Sequence, residues 1–241
     1  MDGDRFAVVG SVGRRPDDRI YGALMESGLL GGLSADEQRA VVALMVRRTY
    51  RKDDTLFHEG DPGDSVLIVE KGRVAIRVST PMGDVATLAI LGRGDSFGEQ
   101  ALLDPSATRT ASAVALENVE VRALHRRQFD ELRLAHPSVD RLLVELLAAQ
   151  VRRLSAHLLD ALYLPVDQRV LRRLRDLTDL YDRGEHPVVI PLRQDDLASL
   201  AGTTRPTANR VLRHLERDGV IALRRGQVHV LDDEALAKRA R

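Results

Sequence analysis

The chain has 241 residues, of which 44% are hydrophobic and 30% are charged, and its formal net charge at pH 7 is zero. This length is sufficient for one large domain or two moderate ones, each with its own hydrophobic core. The absence of cysteine excludes disulfides, thiolate nucleophiles, thiolate zinc sites and cysteine-bound iron–sulfur clusters.

No stretch approaches about eighteen consecutive apolar residues, and the N-terminus lacks the basic and apolar regions of a signal peptide. We therefore expect a cytoplasmic protein that does not interact with membranes. The zero net charge conceals an asymmetry, because residues 167–241 hold 15 basic and 12 acidic residues whereas residues 1–166 hold 21 and 24. A net basic C-terminal part suits an anionic partner.

The chain starts with an irregular stretch that is followed by a helix signal. Residues 1–20 are rich in Gly, Asp and Arg, show no hydrophobic period and are predicted to form a flexible extension. A helix is expected to begin after Ser34 and to continue to about Arg47. Serine is a favourable N-cap, and Glu37, three residues later, completes a capping box.

A β-rich segment comes next. Between Arg51 and Leu124, short β-prone runs alternate with turn signals, among them Asp61-Pro62-Gly63 and Lys71-Gly72. Many short strands at this spacing predict an antiparallel sandwich or barrel. We assign residues 21–136 to this first domain.

The segment 137–164 has the pattern of one long helix, expected from Ser138 to Ala161. An apolar stripe repeats along it in alternating steps of three and four residues: Val144, Leu147, Val151, Leu154, Leu158 and Ala161. Such a 3.5-residue period keeps one face against a partner helix, which favours a homodimer over ordinary packing within one chain. A second stripe, with Leu142, Leu143 and Leu146, remains for packing on the β-rich domain.

Pro165 is predicted to end the long helix, because proline lacks a backbone N–H and keeps the preceding residue out of the helical region. Residues 164–167 are therefore the predicted hinge, and residues 165–241 form the second domain. This domain is expected to continue with a helix over 168–181 and an extended segment over 188–192.

The C-terminal domain contains the pattern of two short helices joined by a tight turn. The first is expected to end at Gly202 and the second to begin near Arg205, with Pro206 in its first turn. This arrangement is typical of a helix-turn-helix, whose second helix lies in the DNA major groove. The candidate DNA contacts are Thr204, Arg205, Thr207, Asn209, Arg210 and Arg213, with Arg224 in a following hairpin that resembles a wing. The alternative is a solvated basic helix in a small accessory domain.

The stretch FGEQALLDPSATRTA, residues 97–111, contains an acid and a base ten positions apart, Glu99 and Arg109. If Gly98 begins a short helical turn, the free N–H groups there attract a small anion. Arg109 can hold a phosphate through two parallel charge-assisted hydrogen bonds, and Thr110 adds a hydroxyl donor. The Glu99 carboxylate can accept a hydrogen bond from a ribose hydroxyl, so Glu99, Arg109 and Thr110 together fit a nucleotide. The alternative is a surface ion pair between Glu99 and Arg109.

From about Leu33 to Leu231 the chain resembles the cyclic-AMP receptor protein family, part of the CRP/FNR superfamily of transcription regulators. The resemblance is carried by EGDPGD, EKGRV, FGE…RTA, the long helix and TTRPTANRVLRHLERDGVI. It implies an α+β fold in which a jelly-roll-like antiparallel β-roll binds a cyclic nucleotide and a long dimerisation helix leads to a C-terminal winged helix-turn-helix. It further implies a homodimer on a palindromic double-stranded DNA operator, with RNA polymerase as a partner if the protein activates transcription.

The resemblance also implies a ligand-binding set, namely Gly98, Glu99, Gln100, Ala101, Arg109, Thr110, Leu154 and Ser155. Members of the family that respond to cyclic AMP usually carry polar residues at the last two positions, so Leu154 removes one polar contact to the purine. Cyclic AMP is the first candidate effector, with cyclic GMP or a cyclic dinucleotide as alternatives. Pro206 stands where the family often has glutamate, so the family's operator sequence is not transferred to this chain.

Two alternatives of another kind remain. A regulator of the same fold could bind DNA without any nucleotide. A nucleotide hydrolase that uses Glu99 as its base is a remote alternative, because the sequence near this residue contains neither a metal-ligand cluster nor a nucleophile–base pair. We therefore expect a regulator that is not an enzyme and has no catalytic residue and no bound metal.

Overall fold

The structure, a computed structural model, describes residues 33–80 and 83–240. The predicted extension, residues 1–20, lies outside this part of the chain. Helix α1 (Ala35–Leu44) begins with the predicted capping box, in which the Ser34 hydroxyl accepts from the Glu37 N–H and the Glu37 carboxylate accepts from the Ser34 N–H. The helix ends at Leu44 rather than near Arg47, because the chain enters the first strand at that point.

The β-domain consists of two four-stranded antiparallel sheets. Its strands are β1 (Val46–Tyr50), β2 (Thr55–Phe57), β3 (Ser65–Lys71), β4 (Val74–Ser79), β5 (Val85–Leu91), β6 (Ser96–Phe97), β7 (Ser112–Ala115) and β8 (Val119–His125). The sheets have the strand orders β1-β8-β3-β6 and β2-β7-β4-β5, which confirms the predicted antiparallel sandwich. Consecutive strands β3 and β4 lie in different sheets, with Gly72 at a φ of +86° between them. A Cβ on Gly72 would lie 2.6 Å from the carbonyl oxygen of Asn118.

Three helices complete this part of the chain: α2 (Gln100–Leu103), α3 (Arg126–Ala135) and α4 (Asp140–Tyr163), the last preceded by a 3₁₀ turn at Pro137–Val139. Leu142 and Leu146 of α4 are buried in a core shared with α1 and α3, with Leu143 packed against it, so the predicted second stripe is confirmed. The first stripe faces solvent in the single chain. Its members Val144, Val151, Leu154 and Leu158 are each more than half exposed.

The C-terminal part folds around a core of its own. Its elements are α5 (Val166–Tyr181), β9 (Val188–Ile190), α6 (Gln194–Leu200), α7 (Arg205–Arg217), β10 (Ile221–Arg224), β11 (Gln227–Val230) and α8 (Asp233–Arg239). The three strands form one sheet in the order β10-β11-β9. Ala198 of α6 and Leu212 of α7 are buried with Leu174 of α5, which is the packing expected of a helix-turn-helix. The hairpin β10–β11 is the predicted wing.

The two parts of the chain contact each other through polar side chains. The Asp196 carboxylate, in the first turn of α6, accepts from the Arg77 guanidinium of β4 at 3.1 Å and from the Thr87 hydroxyl of β5 at 2.8 Å. Arg73 donates to the Leu180 carbonyl at the end of α5, with a shortest distance of 2.7 Å. The helix-turn-helix is thereby held directly against the sheet that contains β4 and β5.

Within residues 33–80 and 83–240, no helix combines the length and the apolar character needed to cross a bilayer. Helix α4 has 24 residues, which is a sufficient length. Charged residues such as Arg141, Arg152 and Asp160 interrupt its apolar residues, and a charge at the centre of a membrane is costly.

Candidate functional site

The stretch 97–111 forms a loop that crosses from one sheet to the other. It leaves β6 at Phe97, makes the short helix α2 and enters β7 at Ser112. Arg109 lies in the loop before β7. Its backbone is fixed nonetheless, because its N–H donates to the Asp61 carbonyl and its carbonyl accepts from the Gly60 N–H, both at 2.8 Å.

This loop and helix α4 enclose a cavity of about 830 Å³, including its open mouth. Its apolar wall comes from residues such as Phe57, Ile76, Ala89, Leu91 and Phe97. Its polar lining residues are Glu99, Gln100, Thr108, Arg109, Thr110, Gln150, Arg153 and His157. A mostly apolar cavity with a few convergent polar groups is the usual form of a small-molecule site.

Arg109 is the buried cation of the cavity, with an exposed fraction of 7%. Its Nη1 donates to the Ser65 carbonyl at 2.8 Å, and its guanidinium lies 4.3 Å from the ring centroid of Phe57. The Nε is buried without a hydrogen-bond partner. The Nη2 lies 3.8 Å from a carboxylate oxygen of Asp64, which is largely exposed. Burial lowers the pKa of Arg109, although an arginine remains charged in proteins. The cavity therefore holds a positive charge that the protein itself satisfies only in part.

Gly98 allows the guanidinium to take this position. Its φ is +78°, and a Cβ on Gly98 would lie 2.3 Å from Nη1 of Arg109. Its carbonyl accepts a hydrogen bond from the same Nη1 at 3.3 Å. A residue with a side chain is therefore disfavoured here for two reasons, the positive φ and the need to displace the guanidinium.

Glu99 brings an acidic group to the same cavity without pairing with Arg109. The residue is 8% exposed, and its carboxylate makes no hydrogen bond or ion pair with any described residue. The surface ion pair between Glu99 and Arg109, which was the alternative interpretation of this stretch, is therefore absent from the described part of the chain. Because no protein donor engages this carboxylate and Glu99 lines the cavity, it is available to accept a hydrogen bond from a ligand.

The structure brings most of the predicted ligand set together. Gly98, Glu99, Gln100, Ala101, Arg109, Thr110 and Leu154 all line the cavity. Ser155 does not line it: this residue is exposed, one position further along α4 and thus on another face of the helix. Its assignment as a ligand contact remains a prediction.

Three residues of α4 that line the cavity are missing from the predicted set: Gln150, Arg153 and His157. Together with Leu154 they occupy positions three and four residues apart, which share one face of a helix. Once Leu154 is placed at the cavity, this spacing is sufficient to identify them.

The predicted DNA-reading residues surround the start of α7. Thr204, Arg205, Arg210, Arg213 and Arg224 are exposed, whereas Thr207 and Asn209 are half-buried. Arg205 lines one surface groove together with Arg224 and Arg225 of the wing. The side-chain oxygen of Asn209 is buried without a hydrogen-bond partner. The helix and the wing thus present basic side chains to a common surface.

Three exposed arginines of α7 are each paired with an acid in the free protein. Arg210 contacts Asp167 at 2.6 Å, Arg213 contacts Glu216 at 2.8 Å and Arg205 contacts Asp195 at 3.5 Å. Such surface pairs contribute about 0–1 kcal/mol each. A DNA phosphate or a base edge can therefore replace the acids at low cost.

Two family models match the chain, a cyclic nucleotide-binding domain over residues 47–136 and a Crp-like helix-turn-helix domain over residues 168–239. The chain is 36% identical over 204 residues to the cyclic AMP receptor protein of Thermus thermophilus, covering 85% of this chain and 92% of the relative. It is 30% identical over 221 residues to a CRP-like cAMP-activated global transcriptional regulator of Mycobacterium tuberculosis, covering 90% and 98%. The chain belongs to the CRP/FNR family of transcription regulators.

Solved structures of CRP-type regulators resemble the fold described above. The catabolite activator protein of Thermus thermophilus is 35% identical, with coverage of 88% of this chain and 97% of that one and a TM-score of 0.50. The c-di-GMP responsive global regulator CLP of Xanthomonas campestris is 25% identical, with coverage of 82% and 99% and a TM-score of 0.68. This CRP/FNR regulator therefore has a cyclic nucleotide-binding domain and a DNA-binding helix-turn-helix domain, as the sequence predicts.

The described part of this CRP/FNR chain holds no group of three or more His, Asp or Glu side chains placed to bind a metal ion. The matched relatives are named as regulators and receptors. The loop of the cavity lies within the matched cyclic nucleotide-binding domain, and α7 lies within the matched helix-turn-helix domain.

Arg210 provides a test of the DNA-reading surface. We expect Arg210→Ala to weaken binding to the specific operator by about 1–3 kcal/mol and to relax the base preference at one position if this side chain reads a base. Fluorescence anisotropy against an operator and its single-base variants measures both effects. A uniform loss across all sequences would instead identify Arg210 as a phosphate contact. Arg217→Ala, further along α7, is the matched control.

Proposed function

We propose that this CRP/FNR regulator is a homodimer whose affinity for DNA is set by a cyclic nucleotide bound in the cavity, with cyclic AMP as the first candidate. The observation that carries this proposal is the guanidinium of Arg109, which is buried in the cavity with its Nε unpaired. A buried cation in this state is stabilised by an anion that enters the cavity and accepts its free hydrogen bonds.

The remaining residues of the loop complete the site and define the orientation in which a nucleotide binds. In the proposed complex the cyclic phosphate lies between Arg109 and Thr110, and the Glu99 carboxylate accepts a hydrogen bond from the ribose hydroxyl. Gly98 and Ala101 keep the loop free of bulk beside the phosphate and sugar, and Gln100 lies at the rim. The apolar wall formed by Ile76, Ala89 and Leu91 suits the faces of the base.

The choice of cyclic AMP is supported by the names of two relatives, which are a cyclic AMP receptor protein and a cAMP-activated regulator. A structural relative is named as c-di-GMP responsive, which keeps a cyclic dinucleotide as an alternative. Cyclic GMP is the other alternative.

The homodimer is supported by the exposed apolar stripe of α4, defined by Val144, Val151, Leu154 and Leu158. A helix with such a 3.5-residue stripe buries it by packing against a second copy. In the DNA-bound state the two α7 helices then lie about 34 Å apart, one turn of B-DNA, and read a palindromic operator. If the protein activates transcription, RNA polymerase is a further partner.

The mechanism proposed is a shift between two arrangements of the DNA-binding domains about the hinge at residues 164–167. The ligand contacts both the loop and α4, so it stabilises the arrangement in which both contacts are made. It can shift the equilibrium only by the difference in its affinity for the two arrangements.

Measurement of DNA binding with and without each cyclic nucleotide tests this proposal. We expect cyclic AMP to raise the affinity for the operator by about 5- to 150-fold, the usual range of allosteric coupling, and to raise the melting temperature of the protein. Binding to DNA that is tight and independent of every cyclic nucleotide would support the alternative of a nucleotide-independent regulator. Formation of a hydrolysed product on long incubation would support the enzyme alternative.

A further inference from the structure

The α4 wall of the cavity is polar at three positions to which the proposed function gives no role. Gln150, Arg153 and His157 line the cavity beside Leu154. The apolar Leu154 offers no hydrogen bond to a ligand. Any hydrogen-bonding selection by this wall must therefore come from the other three side chains.

Arg153 differs from its neighbours because it is a half-buried cation that makes no salt bridge with a described residue. Its Nη2 donates to the side-chain oxygen of Gln150, and no carboxylate of a described residue lies within 4.0 Å of its guanidinium. The positive charge of Arg153 lowers the pKa of Asp95, but burial of this carboxyl has the larger effect and raises its pKa. The guanidinium thus keeps N–H groups that no described acceptor engages, and Arg153 lines both this cavity and the neighbouring one that contains Asp95 and Asp176.

The orientation of the nucleotide in the proposed site determines which part of it lies near these donors. With the cyclic phosphate at Arg109 and the sugar at Glu99, the base extends towards α4. The wall there presents the remaining N–H groups of Arg153 and the amide NH₂ of Gln150, whose oxygen is already engaged by Arg153. His157 adds a donor or an acceptor, depending on its tautomer.

The purine bases differ in the hydrogen-bonding groups that they present to these donors. Guanine and hypoxanthine present two adjacent acceptors, O6 and N7, which fit the two N–H groups of a guanidinium. Adenine presents N7 beside the donor group at N6, so only one of its two groups can pair with a donor. An unpaired donor that faces another donor inside a cavity reduces affinity.

We infer that Arg153 is a specificity-determining residue that binds the O6 and N7 edge of a 6-oxopurine, so that cyclic GMP competes with cyclic AMP for this cavity. The inference rests on the proposed function, because it assumes that the cavity binds a cyclic nucleotide. It names the residue that selects the base, and it moves the preferred base from adenine, the first candidate above, to a 6-oxopurine.

Isothermal titration calorimetry of the full-length protein with cyclic AMP, cyclic GMP and cyclic IMP tests the inference. Cyclic IMP carries O6 and N7 without the 2-amino group of guanine, so it isolates the edge in question. Wild-type protein is expected to bind cyclic GMP and cyclic IMP at least as tightly as cyclic AMP. Arg153→Met keeps the apolar stem and is expected to weaken both 6-oxopurines about tenfold to hundredfold, and cyclic AMP far less.

Two further variants make the outcome unambiguous. Arg153→Lys keeps the charge but loses the planar fork, so it is expected to lose the preference for 6-oxopurines as well. Arg152→Met changes the exposed neighbour on α4, which does not line the cavity, and should leave all three affinities unchanged.

Several results would overturn the inference. An equal loss for all three nucleotides in Arg153→Met would mean that Arg153 acts on the shared phosphate, and no loss would mean that it does not contact the ligand. A preference for cyclic di-AMP over cyclic AMP that depends on Arg153 would assign it to a second phosphate instead. In each of these cases the wild-type protein still binds a cyclic nucleotide, so the proposed function stands. A wild-type protein that binds none of the nucleotides would remove both.

Discussion

Arg109→Ala is expected to remove most of the affinity for the cyclic nucleotide while the protein remains folded. The cyclic phosphate carries the ligand's negative charge, and Arg109 is the buried cation at the loop end of the cavity. Removal of one partner of a buried, hydrogen-bonded charge pair costs about 2–5 kcal/mol. Titration calorimetry measures the loss, and circular dichroism with thermal melting verifies the fold. Affinity equal to that of the wild type would show that Arg109 does not bind the phosphate, and the phosphate site would then have to be dropped from the proposed function.

Two companion variants separate charge from geometry in this prediction. Arg109→Lys keeps the charge but loses the fork that holds a phosphate through two bonds, so an intermediate loss is expected. Gly98→Ala keeps Arg109 but places a Cβ 2.3 Å from its Nη1, which displaces the guanidinium and lowers nucleotide affinity as well. Arg127→Ala, at an arginine whose side chain is 91% exposed on α3, is the control and should bind as the wild type does.

Leu158→Glu is expected to convert the proposed dimer into monomers. The leucine is 58% exposed in the single chain and lies on the apolar stripe of α4. In a two-fold dimer every substitution occurs twice, and burial of each leucine contributes about 1.5–3 kcal/mol. The two changes together are expected to raise the dissociation constant of the dimer by roughly a hundredfold or more, before repulsion between the glutamates is added. Sedimentation equilibrium measures this constant.

Leu134→Glu is the matched control for this prediction. Leu134 is 85% exposed but lies on α3, away from the stripe, so the variant should retain the association state of the wild type. Val151→Glu tests the same stripe at a second position and should dissociate the dimer as Leu158→Glu does. Dimers of unchanged stability in both stripe variants would show that another surface joins the subunits.

Local signals in the sequence were sufficient for the elements whose structure depends on near neighbours. The capping box at Ser34 and Glu37 places the start of α1 correctly, and Pro206 marks the first turn of α7. The start of α4 is two residues later than predicted, because Pro137 initiates a 3₁₀ turn before the helix. A short turn of this kind has no hydrophobic period that would distinguish it from the helix.

The cavity was only partly predictable, because its residues come from distant parts of the chain. The loop residues from Gly98 to Thr110 share one motif and could be identified together. Arg153 and His157 depend on which face of α4 meets the sheets, and that is decided by the burial of Leu142 and Leu146. The position of Asp196 against Arg77 and Thr87 depends on how two separately folded parts dock, for which a single sequence carries no periodic signal.

The strand pair β4–β5 contacts the cavity on one of its surfaces and the helix-turn-helix on the other. Ile76 and Ala89 are paired across these strands and line the cavity, whereas the adjacent pair, Arg77 and Thr87, holds Asp196 of the helix-turn-helix. The two strands thus form a single layer between the cavity and the helix-turn-helix. Since packed interiors transmit strain, a ligand that contacts Ile76 or Ala89 has a route to α6 through a single layer of backbone, one that does not pass through the long helix and its hinge.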